Sequence, residues 1–181
     1  MIRWMSIVGS LWLVTAYAAH PTFIVPFLQN DGLFPSFEHI DQSPYWFECG
    51  ELITDKRWCS DPFYYYSTSV WASVEQNTDQ TGVMTMYSDY SPHAWSHLQL
   101  GLRQDGLQLV WAKLGDNEFD VLKRRDDESW QEVDRALIVF LNRYVGVFPK
   151  IQGWLSQQRQ VQLKTDGSTI ELQWIYVNNR S

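Results

Sequence analysis

His93 and His97, in Ser91-Pro92-His93-Ala94-Trp95-Ser96-His97, stand four residues apart, as two zinc ligands on a helix would. The zinc-protease signature needs Glu directly after the first His, and Ala94 holds that place. The flanking residues read as strand, where an i, i+4 pair lies ~13 Å apart and cannot share one ion. Catalytic zinc also wants a third protein ligand. No metal site is expected, and the two histidines are read as surface or loop residues. Asp116, Glu118 and Asp120 resemble the opening of a calcium loop, but its central glycine and its closing bidentate Glu are missing. A solvated acidic strand edge accounts for them. No Gly-x-Ser-x-Gly elbow offers a serine nucleophile. Spacing in sequence does not reveal the pair of carboxylates, ~5 Å or ~6.5–9.5 Å apart, that glycoside hydrolysis uses. No catalytic residue and no cofactor is assigned, and enzyme activity has no support.

Cys49 and Cys59 are the two cysteines of the chain, separated by nine residues. A thioredoxin-type pair has two intervening residues, and two ligands are too few for structural zinc. In an oxidising compartment such a pair is most simply a disulfide. The amino terminus points to that compartment. Arg3 precedes an almost wholly apolar run from Trp4 to Tyr17, and Ala16-Tyr17-Ala18 places small residues where signal peptidase reads. Residues 1–18 are therefore expected to be a cleaved signal peptide, too short in its apolar core for a membrane span. The mature protein would begin at Ala19, free of the membrane, in the bacterial periplasm more than in the medium.

Charge narrows the partners. The chain carries 14 Lys and Arg against 21 Asp and Glu, and loss of residues 1–18 removes Arg3 but no acid, for a mature net charge of −8. Such a chain repels phosphate backbones and anionic lipid, so neither nucleic acid nor membrane surface is an expected partner. Hydrophobic residues make up 45% of the sequence, which excludes a disordered chain.

The elements that must position any site read as follows. Residues 19–66 are punctuated by Pro21, Pro26, Pro35, Pro44 and Pro62 and are expected to be irregular, held by aromatics and by the disulfide. Residues 67–181 complete a single domain over 19–181. Strands are expected at Val70–Glu75, Val83–Tyr90, Trp95–Arg103, Leu107–Leu114 and Glu118–Leu122, with turns at Gln104-Asp105-Gly106 and Gly115-Asp116-Asn117. Leu107–Leu114 is apolar on both faces and is expected to be central. Ser129 and Glu132 have the form of a capping box, and Trp130, Val133, Leu137, Phe140, Leu141 and Tyr144 recur at helical spacing behind it. Pro149 is read as stopping this helix or bending the chain into a second short turn that carries Ile151, Trp154 and Leu155. Gln160–Thr165 and Thr169–Val177 close the chain as a hairpin. The expected fold class is α+β: an antiparallel meander of about five strands, one amphipathic helix and a C-terminal hairpin.

Ten Trp, nine Tyr and nine Phe are the compositional oddity. Trp111 and Trp130 are natural core residues; others lie in polar company and suit a recognition surface, since Tyr and Trp dominate interface hot spots. The leading expectation is an exported, non-enzymatic protein-binding domain of the inhibitor or immunity type. Its expected contact is the Cys49–Cys59 loop with Trp46, Arg57, Trp58 and Tyr64, facing another protein, a basic one by charge. The alternative is a carbohydrate-binding module that stacks sugars on Tyr87 and Trp95. A small hydrolase without a recognisable motif stands third.

Overall fold

Alternation along Gly82–Asp89 puts Met84 and Met86 fully on one side of the backbone and Val83 and Tyr87 on the other, and the rest of the sheet is built on that parity. The computed structural model describes residues 20–29, 34–50, 56–76, 82–156 and 159–176. The elements are α1 (Val25–Gln29), α2 (Phe37–Asp41), β1 (Trp46–Glu48), β2 (Arg57–Ser60), β3 (Phe63–Tyr65), β4 (Thr68–Gln76), β5 (Gly82–Asp89), α3 (Pro92–Gln104), β6 (Gln108–Leu114), β7 (Asn117–Asp120), α4 (Val121–Arg124), α5 (Trp130–Arg143), β8 (Lys150–Leu155), β9 (Gln160–Thr165) and β10 (Thr169–Ile175). All pairings are antiparallel, in the order β1-β2-β4-β5-β10-β9-β8-β6-β7, with β3 beside β4 off this path. The protein is mostly antiparallel sheet with a few helices, an α+β fold. The expected signal peptide lies outside the described residues. Among those residues no helix is long and apolar enough to cross a membrane.

Several expectations are corrected here. Trp95–Arg103 belongs to helix α3, not to a strand. Ser91 caps it by accepting a hydrogen bond from the Ala94 amide at 3.0 Å, and Pro92 fills the first helical position, where no amide partner is needed. Gln104-Asp105-Gly106 is the end of that helix and not a hairpin turn. Gly106 has φ +80°, and the Leu107 and Gly106 amides donate to the Leu102 and Arg103 carbonyls, the glycine-terminated stop that satisfies orphan acceptors. Residues 150–155, read as a turn, form strand β8, disguised because Lys150 and Gln152 occupy buried positions. Among its described residues the 19–66 segment holds two short helices and three strands in addition to its loops. Leu107–Leu114 is not central, because β6 has only β7 outside it and β10 occupies the middle. The turn at Gly115-Asp116 does join β6 to β7, with Gly115 at φ +60°.

The core lies against one face of the sheet. Val70, Ala72, Val74, Met84, Met86, Val161, Leu163, Ile170, Leu172 and Trp174 point that way, and Ile24, Phe27 and Leu28 of the α1 region, Ile40 of α2 and Trp95, Leu98 and Leu102 of α3 cover them. Each Val, Leu, Ile, Phe or Met side chain among them, once fully buried, contributes about 1.5–3 kcal/mol. Helix α5 packs Val133 and Leu137 on Phe119 and Val121 at the β6–β7 end. Phe119 pairs with Ala112 and so shares the core face. Trp130 is not a core residue: it is 51% exposed, with the Arg125 guanidinium 3.3 Å from its ring centre. The core residues of α1, α2, α3 and α5 thus all gather on one side, and among the described residues no helix covers the opposite face of the sheet.

Candidate functional site: an open sheet face

Register fixes which side chains share the open face. One row crosses the sheet as Trp71, Tyr87, Glu171, Lys164, Ile151, Lys113 and Glu118. The next row is Phe47, Cys59, Ser73, Thr85, Gln173, Gln162, Gly153, Trp111 and Asp120. Tyr64 pairs with Ser69, which precedes Trp71 by two, so it joins the same side.

Two aromatic platforms result. At the β1–β5 end, Trp71 and Tyr87 stack with ring centres 5.8 Å apart and planes 19° from parallel. Phe47 is 51% exposed, Tyr64 66% and Trp71 37%, values that place them on the surface and not in the core. The Cys49–Cys59 disulfide ties the end of β1 to β2 beside them. At the other end the Trp111 ring lies across Gly153, and a Cβ on Gly153 would collide with it. Four strand spacings separate Tyr87 from Trp111, about 19 Å at ~4.8 Å per strand. Between them lie the amides of Gln162 and Gln173 and the ion pair Lys164–Glu171, 2.7 Å. Arg57 and Glu75 pair at 2.7 Å near the disulfide. Both pairs are partly exposed, so neither contributes much to stability.

The structure divides the residues that sequence reasoning singled out. Tyr64 and Tyr87 are on the open face, and Arg57 is on the same side farther along β4, in its ion pair with Glu75. Trp46 at 7%, Trp58 at 6% and Trp95 at 7% exposure are core residues and cannot anchor a partner as the protein stands. Alternation explains the first two: in β1 and β2 each Trp sits one residue from a neighbour of opposite parity, Phe47 and Cys59. Trp95 faces the core because it lies on the buried side of α3, with Ala94, Leu98, Gly101 and Leu102. Phe47 and Trp71 lie on the surface without having been singled out, and Trp111, expected in the core, is half-buried on the open face. The period-two pattern of their strands signals which residues share a side, though not which side the helices cover. Of the loop that Cys49 and Cys59 close, residues 51–55 lie outside the described residues.

Other clusters of polar groups are accounted for by the fold. Asp105 accepts hydrogen bonds from Tyr65 Oη at 2.6 Å and Tyr66 Oη at 2.5 Å, with His20 Nε2 at 3.3 Å. Burial alone would raise the Asp105 pKa; the hydrogen bonds from His20, Tyr65 and Tyr66 and the charge of His20 outweigh it and hold the carboxyl below the usual range. Burial, reinforced by Asp105, pushes both tyrosines up. Arg159 donates to the Asp105 carbonyl at 2.7 Å and also to the Leu28 carbonyl. This network ties the segment around His20–Leu28 to the end of α3. Lys150 is buried, donating to the Val145 carbonyl at 2.6 Å with the Phe148 ring 4.7 Å away. Asp120 caps α4 through the Lys123 amide at 2.9 Å. Among the described residues no three of His, Cys, Asp and Glu gather closely enough to hold a metal ion.

His93 and His97 lie on α3, so the strand spacing assumed for them does not apply. Their ring centres are 3.9 Å apart.

Comparison of the chain with models of protein families, with curated proteins and with solved structures found no match in any of the three.

Proposed function

We propose that this protein is an exported, non-enzymatic binding domain that holds a partner protein on the aromatic end of its open sheet face. The observation that carries the reading is the gathering of Phe47, Tyr64, Trp71 and Tyr87 on one uncovered face beside the disulfide. Exposed aromatics with a charged rim match the anatomy of protein interfaces, where Trp and Tyr anchors dominate binding energy. A sheet face is also rigid, so little order is lost on binding. The negative net charge favours a basic partner. Export is supported by the apolar leader and by the disulfide, which persists in oxidising compartments such as the periplasm.

Trp111 over Gly153, with Gln162 and Gln173 beside it, favours a second reading, a carbohydrate stacked on the indole with amides orienting its hydroxyls. The two are separated by testing mature protein, Trp71→Ala and Trp111→Ala for capture of a partner from envelope extract and for binding on a glycan array. Under the leading reading Trp71→Ala loses the protein partner by at least about 30-fold, as hot-spot removal does, and Trp111→Ala keeps it. Glycan binding abolished by Trp111→Ala and kept by Trp71→Ala would replace protein recognition with the second reading. Capture of nothing by the unaltered protein would end both.

A further inference from the structure

His93 and His97 are one turn apart on α3, so their side chains meet on one helix face. His93 is exposed and His97 half-buried. Nδ1 of His97 contacts the hydroxyl of Ser67, in the turn between β3 and β4. A metal-ligating imidazole commonly gives its second nitrogen to an oxygen acceptor, which fixes both ring and tautomer. With the Nδ1 proton donated to Ser67 Oγ, the lone pair of His97 is left on Nε2.

We propose that His93 and His97 form a two-point chelate for a divalent transition metal of the Zn2+ or Cu2+ class, with Ser67 as the positioning residue and water in the remaining places. Metal–nitrogen bonds of ~2.0–2.1 Å require two ligating nitrogens about 3 Å apart. Rings with centres 3.9 Å apart and planes tilted by 35° reach that spacing by a small rotation about χ2, a soft torsion for histidine. Imidazole suits both ions, and Cu2+ binds nitrogen sites more tightly than Zn2+. Two protein ligands are half of what a structural zinc site uses. His93 also lies in the first turn of its helix, where the dipole opposes a cation. The site is accordingly a loose, exchangeable one on α3, linked to the β3–β4 turn through the Ser67–His97 hydrogen bond.

The test is calorimetric titration of metal-free mature protein with Zn2+, and electron paramagnetic resonance of the protein with one equivalent of Cu2+. One Zn2+ binds per chain, at least about tenfold more weakly after His93→Ala or His97→Ala and equally well after His39→Ala, a histidine on another helix. Ser67→Ala weakens binding about tenfold, the effect of losing an outer-shell partner. The Cu2+ spectrum carries nitrogen splitting from two imidazoles, and from one in either single variant. No saturable binding by the unaltered protein, or binding that survives His93→Ala/His97→Ala with an unchanged circular dichroism spectrum, overturns the site. Equal affinity in Ser67→Ala overturns the role given to Ser67.

Discussion

At Asp105 two hydroxyls and an imidazole converge on one carboxylate, and the chain around it depends on that carboxylate being ionised. Its pKa in the folded protein lies below the unfolded value, about 3.9 for an ordinary Asp. The stability it contributes is therefore complete above that value and is lost as pH falls through the lower, folded one. Tyr65 acts in the opposite sense: burial raises its pKa, so its contribution is complete below about pH 10, the ordinary tyrosine value, and is lost at higher pH. Asp105→Asn is expected to cost about 1–3 kcal/mol at neutral pH, because a buried hydroxyl loses its charged acceptor. It is also expected to flatten the acid limb of melting temperature against pH. Asp166, with a pKa of about 2 set by hydrogen bonds from Ser168 and Thr169, lies in the same acid range but is exposed. Asp166→Asn should change that limb less. Thermal melts of the three proteins between pH 2.5 and 7 provide the check, and an acid limb as steep in Asp105→Asn as in the parent would remove Asp105 from the account.

Helix α5 starts where its sequence says it should. Ser129 Oγ accepts from the Glu132 amide at 3.4 Å and Glu132 Oε2 accepts from the Ser129 amide at 3.0 Å, which completes the capping box. Ser129→Ala should lower stability by about 1 kcal/mol. Arg135→Ala, at an exposed position of the same helix, should stay within about 0.5 kcal/mol. Chemical denaturation of both variants tests this, and equal midpoints would show that the cap bears no load. Local signals of this kind were legible: the cap, the glycine at the β6–β7 turn, and the alternation along β5, β9 and β10. Helix α3 was not, because Leu98, Leu100 and Leu102 alternate as a strand would while Ala94, Trp95, Leu98, Gly101 and Leu102 recur as a helix would. The second pattern is the buried one, and Leu100 is 52% exposed. Ser91-Pro92 carried the deciding signal, a cap followed by proline at the first helical position. The open face was illegible for a different reason. Parity tells which residues share a side, but only tertiary packing tells which side the helices cover, and for Trp46 and Phe47 that choice decides which one is available to a partner.

On the scale of the molecule, the helices of the described residues pack on one face and the disulfide reinforces one edge. β1 is three residues long and pairs with β2 alone, so its own hydrogen bonds hold it weakly. The Cys49–Cys59 bridge closes a loop of ten positions beside that pairing. Loop closure of this length should contribute about 2–3 kcal/mol, mainly by restricting the unfolded chain. Replacing both cysteines by Ser is expected to lower the melting temperature by about 4–12 °C, at ~2–4 °C per kcal/mol for a domain of this size. The circular dichroism spectrum should be unchanged, because the core on β4, β5, β9 and β10 does not include the bridge. The sharper expectation is spatial. Amide exchange should accelerate in β1 and β2 beyond what global destabilisation explains, since local opening follows the weakest pairing. Phe47 travels with β1, so partner capture should weaken along with it, whereas exchange at the Trp111 end of the face should accelerate no more than the global loss of stability requires. Uniform acceleration of exchange across the whole sheet would mean that the bridge acts only on the unfolded chain, and that the aromatic end of the open face keeps its shape without it.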